Sequence, residues 1–298
     1  MLVYVNGKLV SKEDATVSVL DHGFLYGDGV FEGIRVYDGN IFRMEEHIVR
    51  LYESAKTLAL EIPLTPEEMT QATLDTVAAN GKRDAYIRLI VSRGPGDLGI
   101  DPHNCTAPSV IIIVGDITLY PPELYETGIE LITSSVPRIP IQCLDPRIKS
   151  LNYLNNILAK IDARRAGVPE ALMLNLNGRV AECTADNIFI VKNGKLETPD
   201  LMQGALGGVT RAAVLDLARE AGIETVEAIL GLHDIYNAEE CFLTGTGAEV
   251  MPVVGVDGRR IGDGKPGMMT YDLLRRFREL RIKDGARVDY NAAETVSG

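Results

Sequence analysis

Asn-Gly and Asp-Gly dipeptides that lie between short strand-like runs constrain the fold of this chain more than any other feature. A two-residue type I′ turn needs a positive φ at both of its central residues, and these dipeptides meet that need at little cost. Each of them therefore predicts a β-hairpin, so the sheets should contain much antiparallel pairing rather than a regular βαβ repeat. The five dipeptides in such positions are Asn6-Gly7, Asp38-Gly39, Asn177-Gly178, Asn193-Gly194 and Asp257-Gly258.

Helical patterns are interspersed with these strands. Thr65, Pro66 and Glu68 combine an N-cap, a proline at the first helical position and a capping-box acid, which predicts a helix to about Ala79. Apolar residues at spacings of three and four predict further helices. These lie at about residues 44–58, 151–161, 214–221 and 268–282.

A proline-rich stretch is the best candidate for a domain boundary, because Pro137, Pro140 and Pro146 leave no regular period there. A chain of 298 residues is long enough for two domains. We therefore expect a small N-terminal α+β domain at residues 1–135, an inter-domain linker at 136–146 and a larger C-terminal α/β domain at 147–298.

The charge balance argues against some classes of partner. The net charge is −12, from 30 basic and 42 acidic residues, and such a field repels nucleic-acid backbones and anionic lipid. No apolar run approaches the length of a membrane span, and the first residues lack a basic and apolar leader pattern. We therefore expect neither a nucleic acid nor a membrane as a partner.

The four cysteines and four histidines show no spacing typical of metal ligands. A chain of this length can bury a large core without disulfide bonds. We therefore expect reduced thiols, no metal site and a cytoplasmic location.

Two glycine-rich turns in the second half are candidate anion sites. One, at residues 204–210, leads into the predicted helix at 214–221, and the other, at residues 245–248, follows a strand-like run. Glycine lets the backbone approach a ligand, and free N–H groups at a helix N-terminus bind anions, with Thr210 and Thr246 as further donors. Neither turn fits a Walker or dinucleotide-binding pattern, and a simple chain reversal is the alternative for each.

Alternation in residues 85–92 places Tyr86, Arg88 and Ile90 on one face of a strand. A phenol beside a guanidinium suits a carboxylate ligand, because arginine can bind two oxygens at once. A solvent-facing strand surface is the alternative that the pattern alone leaves open.

Lys149 and Glu182 carry little signal on their own. Lys149 stands just before the predicted helix at 151–161, where an amine could act as a nucleophile, and Tyr153 follows one turn later. Glu182 lies at the end of a strand-like hairpin. Since most lysines and glutamates are solvated surface charges, that alternative stands for both.

Seven blocks of sequence, in order along the chain, resemble the class IV (fold-type IV) PLP-dependent aminotransferases, and in particular the branched-chain-amino-acid aminotransferases. The similarity extends from about Tyr4 to Phe277. The blocks are YGDGVFEGIR at residues 26–35, FR with HIVRL at 42–51, AYIR at 85–88, IKSLNYLN at 148–155, ECTADNIF at 182–189, GVTR at 208–211 and TGTGAE at 244–249.

The resemblance implies a two-domain α+β and α/β fold like that of D-amino-acid aminotransferase, with pyridoxal 5′-phosphate (PLP) bound in the C-terminal domain. Lys149 would form the Schiff base with PLP and then move the proton as general acid and base. Glu182 would pair with the pyridine nitrogen. The other implied cofactor contacts are Arg50, Tyr153, Leu206, Val209, Thr210 and Thr246.

The implied reaction is transamination between branched-chain L-amino acids and 2-oxoglutarate, which gives branched-chain 2-oxo acids and L-glutamate. By resemblance Tyr26 and Ile100 would come from a partner subunit, so a homodimer or an assembly of dimers is implied. The implied substrate contacts are Tyr26, Phe31, Arg35, Tyr86, Arg88, Ile100, Gly247 and Ala248.

Two alternative hypotheses stay open at this point. The Lys-Ser-Leu-Asn sequence at Lys149 also occurs in D-specific relatives, so a D-amino-acid or (R)-amine transaminase, or an aminodeoxychorismate lyase, is an alternative on the same fold. A non-enzymatic protein whose glycine turns bind another anion is the alternative from a different class.

Overall fold

The computed structural model describes residues 1–117 and 120–291. The chain divides into two compact units, each described separately below. Unit 1 comprises Met1–Ile117, Ile148–Asn152 and Leu280–Gly298, and unit 2 comprises Thr118–Arg147 and Tyr153–Glu279.

The strands and helices of the described residues are as follows. The strands are β1 (Leu2–Val5), β2 (Lys8–Ser11), β3 (Gly29–Tyr37), β4 (Asn40–Phe42), β5 (Ala85–Ser92), β6 (Ser109–Gly115), β7 (Ile129–Thr133), β8 (Glu170–Leu174), β9 (Val180–Cys183), β10 (Asn187–Lys192), β11 (Lys195–Pro199), β12 (Thr225–Ala228), β13 (Glu240–Gly245), β14 (Glu249–Val256), β15 (Arg259–Arg260) and β16 (Gly285–Arg287). The α-helices are α1 (His22–Tyr26), α2 (Met44–Thr57), α3 (Pro66–Ala79), α4 (Glu123–Thr127), α5 (Leu154–Arg165), α6 (Val209–Glu220), α7 (Leu232–Tyr236) and α8 (Met268–Leu280).

Unit 1 is built on a seven-stranded sheet in the order β16-β4-β3-β5-β6-β1-β2, with antiparallel pairing throughout. One face of β5 carries Ala85, Ile87, Leu89 and Val91, and these join side chains of α2 and α3 in a buried core. Tyr86 and Arg88 lie on the opposite face, as the alternation predicts. The central pair β3 and β5 therefore separates an apolar core from a polar surface.

Unit 2 contains a nine-stranded sheet whose main path is β12-β11-β10-β13-β14-β7-β8-β9, with β15 paired to β14. The pairs β11/β12, β7/β14 and β7/β8 are parallel, and the remaining pairs are antiparallel. Phe189 and Phe242 stack within this sheet, with ring centroids 5.1 Å apart. Strand β7 lies in this sheet, although the predicted N-terminal domain includes its residues. The predicted domain bounds at 135 and 147 stay a prediction.

Hairpin turns connect five strand pairs at the predicted dipeptides. In four of them the asparagine or aspartate has a φ of 47–52° and the glycine a φ of 71–89°, which confirms the type I′ prediction. The turn at Asn177-Gly178 is different, because only the glycine has a positive φ. There the Asn175 side chain accepts hydrogen bonds from the N–H groups of Asn177 and Arg179 and holds a longer turn.

Helix α3 begins and ends as predicted. Thr65 accepts from the Glu68 N–H while the Glu68 carboxylate accepts from the Thr65 N–H, which completes the capping box, and Pro66 is the first helical residue.

Helix α5 forms near the predicted position but presents its apolar stripe outward. Leu154, Leu158 and Ile161 are 62%, 45% and 41% exposed, whereas the inward face carries Asn156, Ala159 and Ala163. The burial of the polar Asn156 side chain is tolerated because its amide donates to the Thr184 carbonyl and its oxygen accepts from Arg138. A polar and small inner face thus leaves the large apolar side chains uncovered within unit 2.

None of the helices in the described part of the chain is both long and apolar enough to cross a membrane. All four cysteines are free thiols.

The type I′ turn between β10 and β11 gives a direct test of the backbone argument. A Cβ added at Gly194 would meet no atom within 4 Å, so only its φ of +71° disfavours a side chain. We expect Gly194→Ala to lower the unfolding temperature by roughly 2–4 °C because of this strain alone. Gly194→Asn should recover part of the loss, because asparagine tolerates this conformation. An alanine variant as stable as the parent protein would contradict the assignment of a type I′ turn with a positive φ at Gly194.

Candidate functional site

A buried carboxylate links β3 to α2 in unit 1. Glu32 has no exposed surface, and its two oxygens accept from Nε and Nη2 of Arg50, each at 2.7 Å. The Nδ1 atom of His47 lies 2.7 Å from the same carboxylate. His47, Arg50 and Ser54 repeat at helical spacing on α2, so one face of this helix carries a buried polar stripe.

The electrostatics of this group follow from its burial. Burial alone would raise the pKa of Glu32, but the charge of Arg50 and the hydrogen bonds of Arg50 and His47 hold it well below its usual range. Burial lowers the pKa of His47; Glu32 opposes this change, and the charges of Arg50 and Lys149 add to it. His47 is therefore a neutral donor near pH 7, and Arg50 supplies the compensating charge.

Lys149 lies in the short segment Ile148–Asn152, which belongs to unit 1. Its N–H donates to the Ser54 hydroxyl at 3.1 Å, and its carbonyl accepts from the Phe31 N–H at 3.0 Å. The Nζ atom stands 4.6 Å from the centroid of the Phe31 ring. Lys149 is thus held through both of its backbone polar groups, by α2 on one side and by β3 on the other.

Several predicted substrate residues share the polar face of β3 and β5. The Arg88 guanidinium lies 4.6 Å from the Phe31 ring centroid and donates through Nη2 to the Tyr86 hydroxyl at 2.9 Å. Arg35 pairs with Tyr86 in the strand register, and its guanidinium lies 4.9 Å from the Tyr37 ring. The structure therefore brings Phe31, Arg35, Tyr86 and Arg88 together, and each guanidinium lies beside at least one aromatic ring.

Tyr26 and Ile100 lie at another part of unit 1. Tyr26 ends α1, and its hydroxyl donates to the Leu98 carbonyl, while His22 contacts the Asp97 carbonyl through Nε2 at 3.0 Å. These bonds hold the loop at residues 97–100 against α1. Ile100 and Leu98 themselves are 83% and 73% exposed.

Glu182 is a second buried carboxylate, at the end of β9 in unit 2. Its Oε1 atom pairs with Nε of Arg138 at 3.0 Å and with Nη2 at 2.9 Å. Its Oε2 atom accepts from the Leu206 N–H at 2.9 Å and from the Asn187 amide at 3.3 Å. The fixed donors leave the carboxylate in one orientation, which suits a cationic N–H of a ligand.

The first turn of α6 provides a candidate phosphate site. Val209 and Thr210 are its first helical residues, Gly208 is the N-cap, and no side chain caps the helix. A Cβ at Gly208 would lie 2.1 Å from Oδ1 of Asn187, so only glycine fits at this position. N–H groups in the first turn of a helix have no partner within the helix and favour an anion.

The remaining predicted residues of unit 2 lie at two other places. Tyr153 is the N-cap of α5 and is half-buried. Thr246, Gly247 and Ala248 form the turn between β13 and β14, and the buried Ala248 accepts a hydrogen bond from Tyr125 through its carbonyl.

Groups of three or more histidine, cysteine, aspartate or glutamate side chains suited to hold a metal ion are absent from residues 1–117 and 120–291.

Comparisons with known proteins identify the family of the chain. A family model described as amino-transferase class IV matches residues 29–256. This chain belongs to the class IV aminotransferases. It is 54% identical over 288 residues to a putative branched-chain-amino-acid aminotransferase of Methanocaldococcus jannaschii, a match that covers 97% of this chain and 99% of the relative.

Solved structures of branched-chain amino acid aminotransferases are similar to this chain. The Escherichia coli branched-chain amino acid aminotransferase gives a TM-score of 0.92 at 36% identity and covers 96% of each chain. The branched-chain amino acid aminotransferase from Thermobaculum terrenum in its PLP-form gives a TM-score of 0.87 at 33% identity, and the match covers 98% of this chain and 96% of that one. These matches confirm the predicted family and fold class.

Three partners of the candidate residues in this class IV aminotransferase have no role predicted from the sequence. Glu32 and Asn187 each lie within one of the seven blocks, and Arg138 falls within the predicted linker. The signal for Glu32 is its place in a strand that is otherwise largely apolar, since a carboxylate there must be paired. Arg138 offers no such signal, because its partner is 44 residues away in the chain.

The buried His47 predicts a pH dependence of stability. Because its pKa is lowered in the folded state, the unfolded state takes up the extra proton as the pH falls below about 6.5. The free energy of unfolding should then fall by up to about 1.4 kcal/mol per pH unit between roughly pH 6.5 and the lower folded pKa. Thermal unfolding of the holoenzyme across pH 5–7 measures this slope, which His47→Gln should reduce.

The exposed His103 provides the matched control, since its side chain is 90% exposed. His103→Gln should keep the slope of the parent protein. The same slope in His47→Gln as in the parent protein would contradict the assignment of His47 as a buried neutral donor.

Proposed function

We propose that this chain transfers the amino group of branched-chain L-amino acids (leucine, isoleucine and valine) to 2-oxoglutarate with PLP as cofactor, giving branched-chain 2-oxo acids and L-glutamate. The names of the matched relatives support this activity, and the PLP-form of the Thermobaculum terrenum structure supports the cofactor. The predicted enzyme class and cofactor are thereby confirmed.

The environment of Arg88 is the observation that carries the substrate assignment. Its guanidinium contacts the rings of Phe31 and Tyr86 and makes no ion pair in the described part of the chain. The enzyme must accept an aliphatic side chain and the distal carboxylate of glutamate in turn. An apolar ring beside a guanidinium without an acidic partner suits both ligands.

The residues present fit PLP in their donor chemistry. Glu182, fixed by Arg138 and the Leu206 N–H, is suited to the pyridine nitrogen. The first turn of α6 offers Val209 and Thr210, and Arg50 and Thr246 are the further phosphate contacts that we propose. Tyr153 and Leu206 would complete the cofactor contacts through the phenol and through packing.

When bound, PLP supplies the electron sink that lets a C–H bond at the amino-acid α-carbon break. We propose that Lys149 binds the cofactor covalently and that its Nζ atom then takes the proton from the α-carbon and delivers it to the cofactor. The hydrogen bonds to Ser54 and Phe31 fix the main chain from which this amine extends. Glu182 would hold the proton on the pyridine nitrogen, and Arg138 compensates its buried charge.

The substrate contacts that we propose within this chain are Phe31, Arg35, Tyr86, Arg88, Gly247 and Ala248.

We also propose that two copies of the chain form a homodimer, alone or within an assembly of dimers, with Tyr26 and Ile100 contributed to the partner's site. The exposure of Ile100, Leu98 and Phe24 supports this proposal, because large apolar side chains on a fixed loop and helix mark interaction surfaces. A cytoplasmic location is the further proposal, supported by the four free thiols.

Absorption spectroscopy of the yellow holoenzyme tests the substrate assignment. L-leucine, L-isoleucine and L-valine should each convert the cofactor to its pyridoxamine form, and 2-oxoglutarate should restore the yellow colour. D-alanine serves as the control and should leave the spectrum unchanged. Conversion by D-alanine without conversion by any of the three L-amino acids would overturn the proposal in favour of a D-amino-acid transaminase.

A further inference from the structure

Tyr86 lies directly over Gly33 on the polar face of unit 1. Gly33 is buried in β3, between Phe31 and Arg35 on that face, and it pairs with Arg88 of β5. A Cβ added at Gly33 would lie 2.1 Å from the Tyr86 hydroxyl oxygen and 2.9 Å from Cζ. No real side chain tolerates such distances, so the phenol occupies the space that any other residue at position 33 would fill.

The backbone does not require glycine at this position. The φ of Gly33 is not positive, and Gly33 pairs in the regular register of β3 with Arg88 of β5. Glycine inside a strand weakens the strand, because it has no side chain to pack and loses more conformational freedom on folding. The space that glycine leaves for the Tyr86 side chain is the structural gain that offsets this loss of strand stability.

The space over Gly33 allows Tyr86 to reach Arg88. The Tyr86 hydroxyl accepts from Nη2 of Arg88 at 2.9 Å, and the same guanidinium lies 5.4 Å from the Tyr86 ring and 4.6 Å from the Phe31 ring. Its Nε atom is buried and makes no hydrogen bond with any of the described residues. Arg88 is therefore oriented by the Phe31 ring and by the ring and hydroxyl of Tyr86, and Tyr86 stays in place only while position 33 lacks a side chain.

We infer that Gly33 is a specificity-determining position: by leaving room for Tyr86 it fixes the orientation of Arg88 and so favours substrates with a distal carboxylate. This inference rests on the proposed function, in which Arg88 binds the side-chain carboxylate of glutamate and 2-oxoglutarate. It assigns the discrimination to a residue that has no side chain.

The expected response to a methyl group at position 33 is local. The clashing atoms belong to the far end of the Tyr86 side chain, which can rotate, whereas β3 is paired along its length. Tyr86 should therefore move and lose its bond to Arg88, while the sheet stays intact. A binding site for an aliphatic side chain needs no oriented guanidinium, so leucine should be affected least.

Rates of the two half-reactions in Gly33→Ala holoenzyme test the inference. The conversion of the cofactor by L-glutamate should slow by roughly tenfold relative to conversion by L-leucine, because a hydrogen bond to a charged group is lost. Gly115→Ala is the matched control, since Gly115 pairs with Tyr86 in β6 and a Cβ there meets nothing within 4 Å. An equal loss for both amino acids, or no loss, would overturn the inference.

A double-substitution cycle tests whether the effect acts through Tyr86. In Tyr86→Ala holoenzyme the clash is absent, so adding Gly33→Ala should change the glutamate-to-leucine ratio by less than about twofold. A full tenfold effect in this background would show that Gly33 acts by another route and would overturn the inference.

Arg88→Met separates this inference from the proposed function. A selective loss of the glutamate half-reaction in Arg88→Met, without one in Gly33→Ala, would overturn the role of Gly33 alone. No selective loss in Arg88→Met would overturn the carboxylate role of Arg88 and, with it, the inference.

Discussion

The pairing of Glu32 with Arg50 and His47 is the interaction on which unit 1 depends. A carboxylate in the middle of a buried strand is tolerated only when neighbouring donors compensate its charge, and both come from one face of α2. This fixes α2 against β3 in rotation and in register. Ser54, one turn beyond Arg50, then meets the N–H of Lys149, so the position of the lysine follows from the position of the ion pair.

Unit 2 also contains a buried carboxylate whose charge is compensated by an arginine. Glu182 is buried at the end of β9, and Arg138, from the segment before Lys149, compensates its charge. The Leu206 N–H and the Asn187 amide donate to its second oxygen. The Asn187 side chain also packs against Gly208, the N-cap of α6, so closely that a Cβ at position 208 would clash with it. Glu182 thus connects β9 with the segment that leads into α6.

Local features of the fold could be predicted from the sequence, because neighbouring residues decide them. The capping box at Thr65, the turn at Asn6-Gly7 and the two faces of β5 all depend on residues within a few positions. The turn at Asn177-Gly178 differs because the Asn175 side chain, just outside the dipeptide, holds a longer loop. The apolar spacing of residues 151–161 does not predict which face of α5 is buried, because Arg138 and Thr184 hold Asn156 inward through hydrogen bonds.

The candidate site residues could be predicted from the sequence, whereas the residues that hold them could not. Ordered blocks of sequence pointed to Lys149, Glu182 and Arg88, and the family is that of the class IV aminotransferases. Their partners required the structure, since Arg138, Ser54 and Gly33 act through contacts between residues 44, 95 and 53–55 positions apart in the chain. No period or motif marks such pairs, because each depends on how two distant elements pack.

Borohydride reduction of the holoenzyme, followed by peptide mapping, tests the central assignment most directly. Reduction fixes the cofactor to the lysine that carries it, and the phosphopyridoxyl group should be found on the peptide that contains Lys149. Treatment with excess L-leucine before reduction should prevent this labelling, because the cofactor then leaves the lysine as its amine form. Labelling of another lysine, or no labelling at all, would contradict the account.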